Sequence, residues 1–176
     1  MGTGVRASRS FAITGSASVS CSRLFRFDDL ILRVPSRSTI EQLVNAGTTV
    51  LCDRYAFSGI AFSASKGLSY EWCRAPDVSL PAPDLTLFLD ITPEKAKERG
   101  GYGEERYEKE EMQRRVRDVF DRIGGEMGTD GDGSVKWVKV DAGREKVAVF
   151  EDVWRHVEPL IGGIERSIQR LWEDRM

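Results

Sequence analysis

The sequence predicts an α/β fold of one domain, a parallel sheet flanked by helices. Three observations carry this. Segments 48–52 (TTVLC), 85–90 (LTLFLD) and 136–140 (KWVKV) are short, apolar and rich in β-branched residues, as buried parallel strands are. The stretches between them place apolar residues at helical spacing, so helix and strand alternate. No repeat or linker divides the 176 residues, and with 40% hydrophobic and 31% charged content they suffice for one core.

The elements follow in order. Over 38–45, Ile40, Leu43 and Val44 recur at helical spacing and Gly47 closes the run. The strand at 48–52 leads into 53–67, whose serines, glycines and aromatics predict a loop running into a helix. Residues 70–74 predict a turn or two of helix, stopped near Pro76. After the strand at 85–90, Thr92 is a good N-cap, with Pro93 at the first helical position and Glu94 in the first turn, for a helix to about Arg99. The segment 100–107 (GGYGEERY) predicts a mobile loop, 108–123 a long helix, and the glycine-rich 124–134 a flexible connection. The third strand is followed by a helix over 144–157. Ile164, Ile168 and Leu171 predict a last helix within 161–176.

Composition excludes several functions. A net charge of −2 gives no basic field for nucleic acid. No apolar run approaches the roughly 18 residues of a membrane span. Cys21, Cys52 and Cys73 have no CxxC spacing and read as reduced thiols, with Cys52 in the core. His156 is the single histidine and lies on an amphipathic stretch, which leaves little room for histidine chemistry.

The first 27 residues differ from the rest. They carry Arg6, Arg9, Arg23 and Arg26, six serines and no acid. This composition fits either an organellar transit peptide or a poorly ordered start. We therefore set residues 1–36 apart as divergent and assign 37–176 to the domain.

In parallel sheets ligands bind beyond the carboxyl ends of the strands. Asp53 and Arg54 follow the first strand, Asp90 ends the second, and Asp141 with Arg144 follow the third; Arg99 and Arg106 flank the glycine-rich loop. Arginines that match spread phosphate charge, with an acid to orient a metal-bound water or hydroxyl, form a kit for phosphoryl transfer. The other reading is solvated loop charges and pairs on helix faces.

Beyond Asp53 the sequence resembles a known family. DRYAFSGIAFSASKGLSYEWCRAPDVSLPAPDLTLFLD (53–90) resembles the central segment of eukaryotic-type thymidylate kinases. GGYGEERYE (100–108) is similar to their lid loop and VDAGRE (140–145) to their adenine-side loop. The resemblance covers roughly 37–161. It implies a P-loop NTPase-like nucleoside monophosphate kinase fold that transfers the γ-phosphoryl group of ATP to dTMP with Mg²⁺, giving dTDP. It implies a homodimer, with the helix from 38 and the segment near 60–75 as interface candidates. It also implies a cytoplasmic enzyme, or an organellar one if the N-terminus is a transit peptide.

Carried over position by position, the resemblance assigns Asp53 to orient the acceptor phosphate and the metal's water, and Arg54 to bridge the dTMP phosphate and the moving phosphoryl group. Gly59 and Phe62 shape the thymine and deoxyribose pocket. Arg99 and Arg106 belong to the lid over ATP, Tyr107 lies near the sugar, and Gln113 contacts nucleotide. Asp141 to Arg144 border the adenine. No residue is assigned as a direct metal ligand. Each position keeps a plainer alternative: Asp53 and Arg54 pair with each other, Phe62 is core, Arg99 is a helix-end charge, and Gln113 is a surface residue of a charged helix.

The family's G-x-x-x-x-G-K-[ST] loop does not occur in this sequence, and no lysine precedes Lys66. That predicts a divergent or truncated N-terminus, with the first strand and P-loop missing or replaced. The family's P-loop strand lies between the strands matched here by 48–52 and 85–90, so another segment must pair with both. Residues 11–14 (FAIT) and 30–34 (LILRV) are candidates, and length and apolarity favour the second. The functional alternative is a catalytically inactive kinase-like chain that serves as a nucleotide-binding or interaction module.

Overall fold

The computed structural model describes residues 9–15, 33–98, 106–128, 136–164 and 166–173. For 9–15, 33–36, 93, 97 and 106–109 the description is of the backbone. Among the described residues four strands form one parallel sheet: β1 (Arg9–Gly15), β2 (Thr49–Asp53), β3 (Leu85–Asp90) and β4 (Lys136–Asp141), in the order β2-β1-β3-β4. Six α-helices accompany them among the described residues: α1 (Arg33–Asn45), α2 (Ala56–Ala64), α3 (Tyr70–Arg74), α4 (Pro93–Glu98), α5 (Arg106–Gly128) and α6 (Lys146–Val157).

The central slot is filled by β1. Phe11 stands opposite Leu51 on one side and Leu85 on the other, and Ile13 opposite Asp53 and Leu87. The strand thus pairs both neighbours' backbone groups. This corrects the preference for 30–34: Arg33 and Val34 begin α1, and 30–32 lie outside the described residues. A short apolar run does not distinguish strand from helix, and Pro35 suits a helix's first turn, where a missing N–H costs nothing.

Strand alternation sorts the core. Cys52, Thr86, Phe88 and Trp137 share the face covered by α1, α2 and α5. There Phe88 stacks on Phe120 of α5 at 4.7 Å, and Phe57 of α2 meets Trp137 edge-on at 5.2 Å. Leu85, Leu87 and Val140 share the other face with Val149, Val153, Val157 and Leu160 of α6 and the turn after it. Burial pushes the Cys52 thiol up to about 11, so it stays protonated and inert.

Two boundaries differ from expectation. Most of 53–67 is α2, because Ala56, Phe57, Ile60 and Ala61 bury one apolar stripe. Residues Gly124 and Gly125 continue α5 instead of ending it. A Cβ at Gly124 would lie 2.6 Å from the Trp137 indole nitrogen, whereas one at Gly125 meets nothing within 4 Å. Gly125→Ala should therefore raise stability by about 0.5–1 kcal/mol through helix propensity. Gly124→Ala should lower it by about 1 kcal/mol, since displacing a ring wedged against Phe57 and Phe88 outweighs that gain. Thermal unfolding of the two variants checks both signs.

The last helix expected within 161–176 does not form among the described residues. Residues 169–171 instead run as an extended strap beside 79–82. Ala82 N–H donates to Gln169 O (2.8 Å), Leu171 N–H to Leu80 O (2.9 Å) and Ser79 N–H to Leu171 O (2.9 Å). The segment at 79–83 contains Pro81 and Pro83, cannot be helical, and has backbone groups to satisfy. Pairing with it outcompetes a short isolated helix, which is marginal alone. The strap buries Leu171 and Trp172 to 1% and 3% exposure. Glu126 of α5 holds it: its Oε2 accepts from Trp172 Nε1 (3.0 Å), Tyr70 OH (2.8 Å) and Arg74 (3.4 Å).

Candidate active site at the strand ends

The carboxyl ends of the parallel strands bring Asp53, Asp90 and Asp141 to one edge of the sheet, beside the end of β1 at Gly15. Asp53 closes β2 half-buried, and Arg54 follows it exposed. Arg54 has φ 62, a left-handed conformation that non-glycine residues rarely hold. That turn lifts its guanidinium over the Phe62 ring at 5.1 Å from the centroid. No salt bridge joins Arg54 to Asp53 among the described residues, so the plain pairing of these two is not what the structure shows. The Arg54 charge faces outward over an aromatic wall built by α2. Gly59 sits half-buried on the same helix, three residues before Phe62.

Asp90 is committed elsewhere. It accepts two hydrogen bonds from Arg117 of α5, at 2.8 and 2.7 Å, and its carboxylate lies 3.3 Å from Lys139. Burial pushes its carboxyl up, but Arg117 and Lys139 outweigh burial and hold it below the usual aspartate range. Lys139 also bonds Asp121 at 2.8 Å. This cluster ties α5 to the strand end. Sequence reasoning flagged Asp90 and missed its partners. The signal available was strand alternation, which puts Lys139 on the α5 face of β4 opposite Phe88.

Asp141 ends β4, where its Oδ1 accepts from Gly143 N–H (2.8 Å) and shapes the turn into α6. Arg144 lies 3.8 Å from Asp141 but spends its guanidinium on Asp152 of α6, holding that carboxyl below its usual range. The structure thus brings Asp141 and Arg144 together as a turn-and-helix brace. Gln113 is half-buried on α5, one turn before Arg117. Arg106 and Tyr107 open α5, with their side chains outside the described residues; Arg99 and the loop at 100–105 lie outside them altogether. His156 is half-buried on α6, away from the strand ends.

The donor set fits the acceptor half of a phosphoryl-transfer site better than the ATP half. Asp53 is a strand-end carboxylate not engaged by a described cation, and it could orient a water of Mg²⁺. The lysine and hydroxyl of a P-loop are not present as that motif in the sequence.

A parallel sheet flanked by helices, with an acid–arginine pair at the end of the strand beside the central one, defines a P-loop NTPase-like kinase fold. The thymidylate kinase family model matches residues 24–152. This chain belongs to the thymidylate kinase family. It is 53% identical over 92 residues to a thymidylate kinase of Arabidopsis thaliana, 46% over 125 residues to that of Schizosaccharomyces pombe, and 38% over 136 residues to that of Homo sapiens. These alignments cover 52%, 71% and 76% of this chain but 35%, 56% and 61% of those relatives, so the chain spans about half the length of the proteins it matches. The solved structure of thymidylate kinase from Candida albicans superposes with a TM-score of 0.72 at 26% identity, covering 94% of this chain and 98% of that one. Among the described residues no helix is long and apolar enough to cross a membrane.

Proposed function

We propose that this chain binds dTMP at the Asp53–Arg54 edge and serves phosphoryl transfer from ATP to dTMP, giving dTDP for dTTP synthesis. The observation that supports it is the outward Arg54 guanidinium, set by a left-handed turn above Phe62 and beside a strand-end carboxylate. Arg54 neutralises the acceptor phosphate and Asp53 orients it; Asp53 would also hold a water of Mg²⁺ when the metal is bound. Gly59 and Phe62 line the base and sugar. The resemblance assigns Tyr107 and Gln113 to the nucleotide, Arg99 and Arg106 to the ATP lid, and the Asp141–Arg144 turn to the adenine. Catalysis of this kind is positioning and electrostatics, so each arginine matters through its charge and reach. The functional unit is a homodimer in the cytoplasm, or in an organelle if the N-terminus directs it there.

A coupled ADP-release assay with dTMP, ATP and Mg²⁺ tests the proposal. Arg54→Ala should cut turnover by about a hundredfold or more, with unfolding unchanged because the side chain is exposed. Equal rates for the two proteins would sink the assignment.

One observation favours a second reading, a nucleotide-binding chain without turnover: the 176 residues hold no G-x-x-x-x-G-K-[ST] motif. Thermal shift separates the two. A working kinase is stabilised by both dTMP and ATP, whereas a binding module that lacks the ATP grip responds to dTMP alone.

A further inference from the structure

We propose that Tyr55 is a positioning residue for Arg54: its hydroxyl, bonded to the Pro81 carbonyl, holds the left-handed turn that keeps the Arg54 guanidinium aimed at a ligand's phosphate. The role in binding rests on the dTMP reading above, whereas the role in the turn stands without it. Tyrosine is an unusual choice for this place. Tyr55 is the N-cap of α2, with φ −100 and ψ −161, and its side chain makes no cap bond. Ser, Thr, Asp or Asn suit an N-cap because a short side chain reaches the first helical N–H groups. The Tyr55 hydroxyl instead donates to Pro81 O at 3.1 Å, 26 residues away in the chain. Its ring lies edge-on to Phe57 at 6.1 Å and packs against both clusters on the helix-covered face of the sheet. Phenylalanine would pack there as well; the hydroxyl is what ties the start of α2 to 79–82.

The acceptor is itself fixed. Leu80 O and Ala82 N–H face the strap, bonded to Leu171 N–H and Gln169 O. Backbone groups alternate sides along an extended chain, so the carbonyl of Pro81 between them faces the other way, toward Tyr55. A proline has no N–H to satisfy on that side, and Pro81 is buried. Arg170 of the strap bonds Ser79 O at 3.5 Å and pairs with Glu41 of α1, which holds the strap to its neighbours. Tyr55 is thus anchored to a buried ledge built by two segments. On the other flank Asp53 is held in register opposite Ile13 of β1. Arg54 lies between these two fixed neighbours at φ 62. For a residue with a Cβ, that conformation costs free energy of the same order as one net hydrogen bond returns. Without the Tyr55 anchor the turn relaxes, and the guanidinium leaves its place 5.1 Å above the Phe62 ring.

Tyr55→Phe in the full chain keeps the ring and removes the bond. Tyr70→Phe is the control: it removes another tyrosine hydroxyl, the one bonded to Glu126 at 2.8 Å, and should cost stability without touching Arg54. Ligand-free NMR reads the turn, because a residue at positive φ gives a strong cross-peak between its own amide proton and Hα. That cross-peak of Arg54 should weaken in Tyr55→Phe and persist in Tyr70→Phe. Calorimetric titration reads the ligand. Tyr55→Phe should bind dTMP about fivefold more weakly than the parent and thymidine equally well, since only the phosphate meets Arg54. Tyr70→Phe should leave the ratio of the two affinities unchanged. A parent-like Arg54 cross-peak in Tyr55→Phe overturns the proposal. So does an equal loss of dTMP and thymidine affinity, which marks a structural role alone. A parent that binds no dTMP sinks the dTMP reading, and the cross-peak then decides the turn: its loss supports the positioning role, and its persistence overturns it.

Discussion

Glu126→Ala should lower the unfolding free energy by about 3 kcal/mol, measured by urea denaturation. Four donors converge on this one carboxylate: Tyr70 OH, Trp172 Nε1, Arg74 and Arg122. Arg122 also lies 3.6 Å over the Tyr70 ring, and Arg74 stands over both Tyr70 and Trp172. Removing the acceptor leaves the buried Trp172 N–H and Tyr70 hydroxyl without partners, and an unmet buried donor costs more than a made bond returns. It also leaves two cations beside each other. Glu126→Gln keeps an oxygen for the hydroxyl and indole and loses only the charge, so it should cost about 1 kcal/mol. Burial pushes the Tyr70 phenol up and the Glu126 carboxylate pushes it further. In Glu126→Ala that phenol should ionise at lower pH than in the parent, visible as an earlier step in an ultraviolet pH titration. The strap at 169–172 should also become sensitive to protease. Parent-like stability in both variants would mean that Glu126 merely accompanies the strap.

The hub shows where sequence reading stopped. Tyr70, Glu126 and Trp172 lie on three separate elements, and no spacing in the chain brings them together. The strap itself was read as a helix because Ile164, Ile168 and Leu171 fit the helical period. What decided otherwise was a neighbour, the proline-bearing 79–83, whose backbone needed a partner. The central strand failed for a related reason. Length and apolarity favour 30–34 over 11–14 as the strand, and only the register against β2 and β3 with the start of α1 reverses that order. By contrast β3 was legible to the residue. LTLFLD is buried on both faces and bounded by Pro83 and Pro93, so local and tertiary preferences agree. The strand-end acids were legible because parallel topology puts them there. Their partners were not, and so Arg144 emerges as a brace to Asp152 and Asp90 as the anchor of α5.

That anchor carries the other large expected effect. Asp90→Ala at neutral pH should cost about 3 kcal/mol, because it leaves the Arg117 guanidinium facing Lys139 across an empty position. The figure sits at the low end for a broken pair, since Arg117 is 26% exposed and Lys139 retains Asp121. The pH dependence has a definite sign. The folded carboxyl titrates below its unfolded value of about 3.9, so the contribution of Asp90 is fully present above that pH. It is lost as pH falls through the lower, folded value. Asp90→Asn cannot titrate, so the stability gap between parent and Asn variant should be constant from pH 7 to about 4 and close below it. A gap that stays open at pH 2 would assign the effect to packing instead of charge. Gln113 lies one turn before Arg117 on α5. Weakening the Asp90–Arg117 pair should loosen the opening turns of that helix, with Arg106 and Tyr107, before it disturbs the sheet. Hydrogen exchange in Asp90→Asn should therefore rise first at the N-terminal end of α5, while the amides of β3 and β1 stay protected.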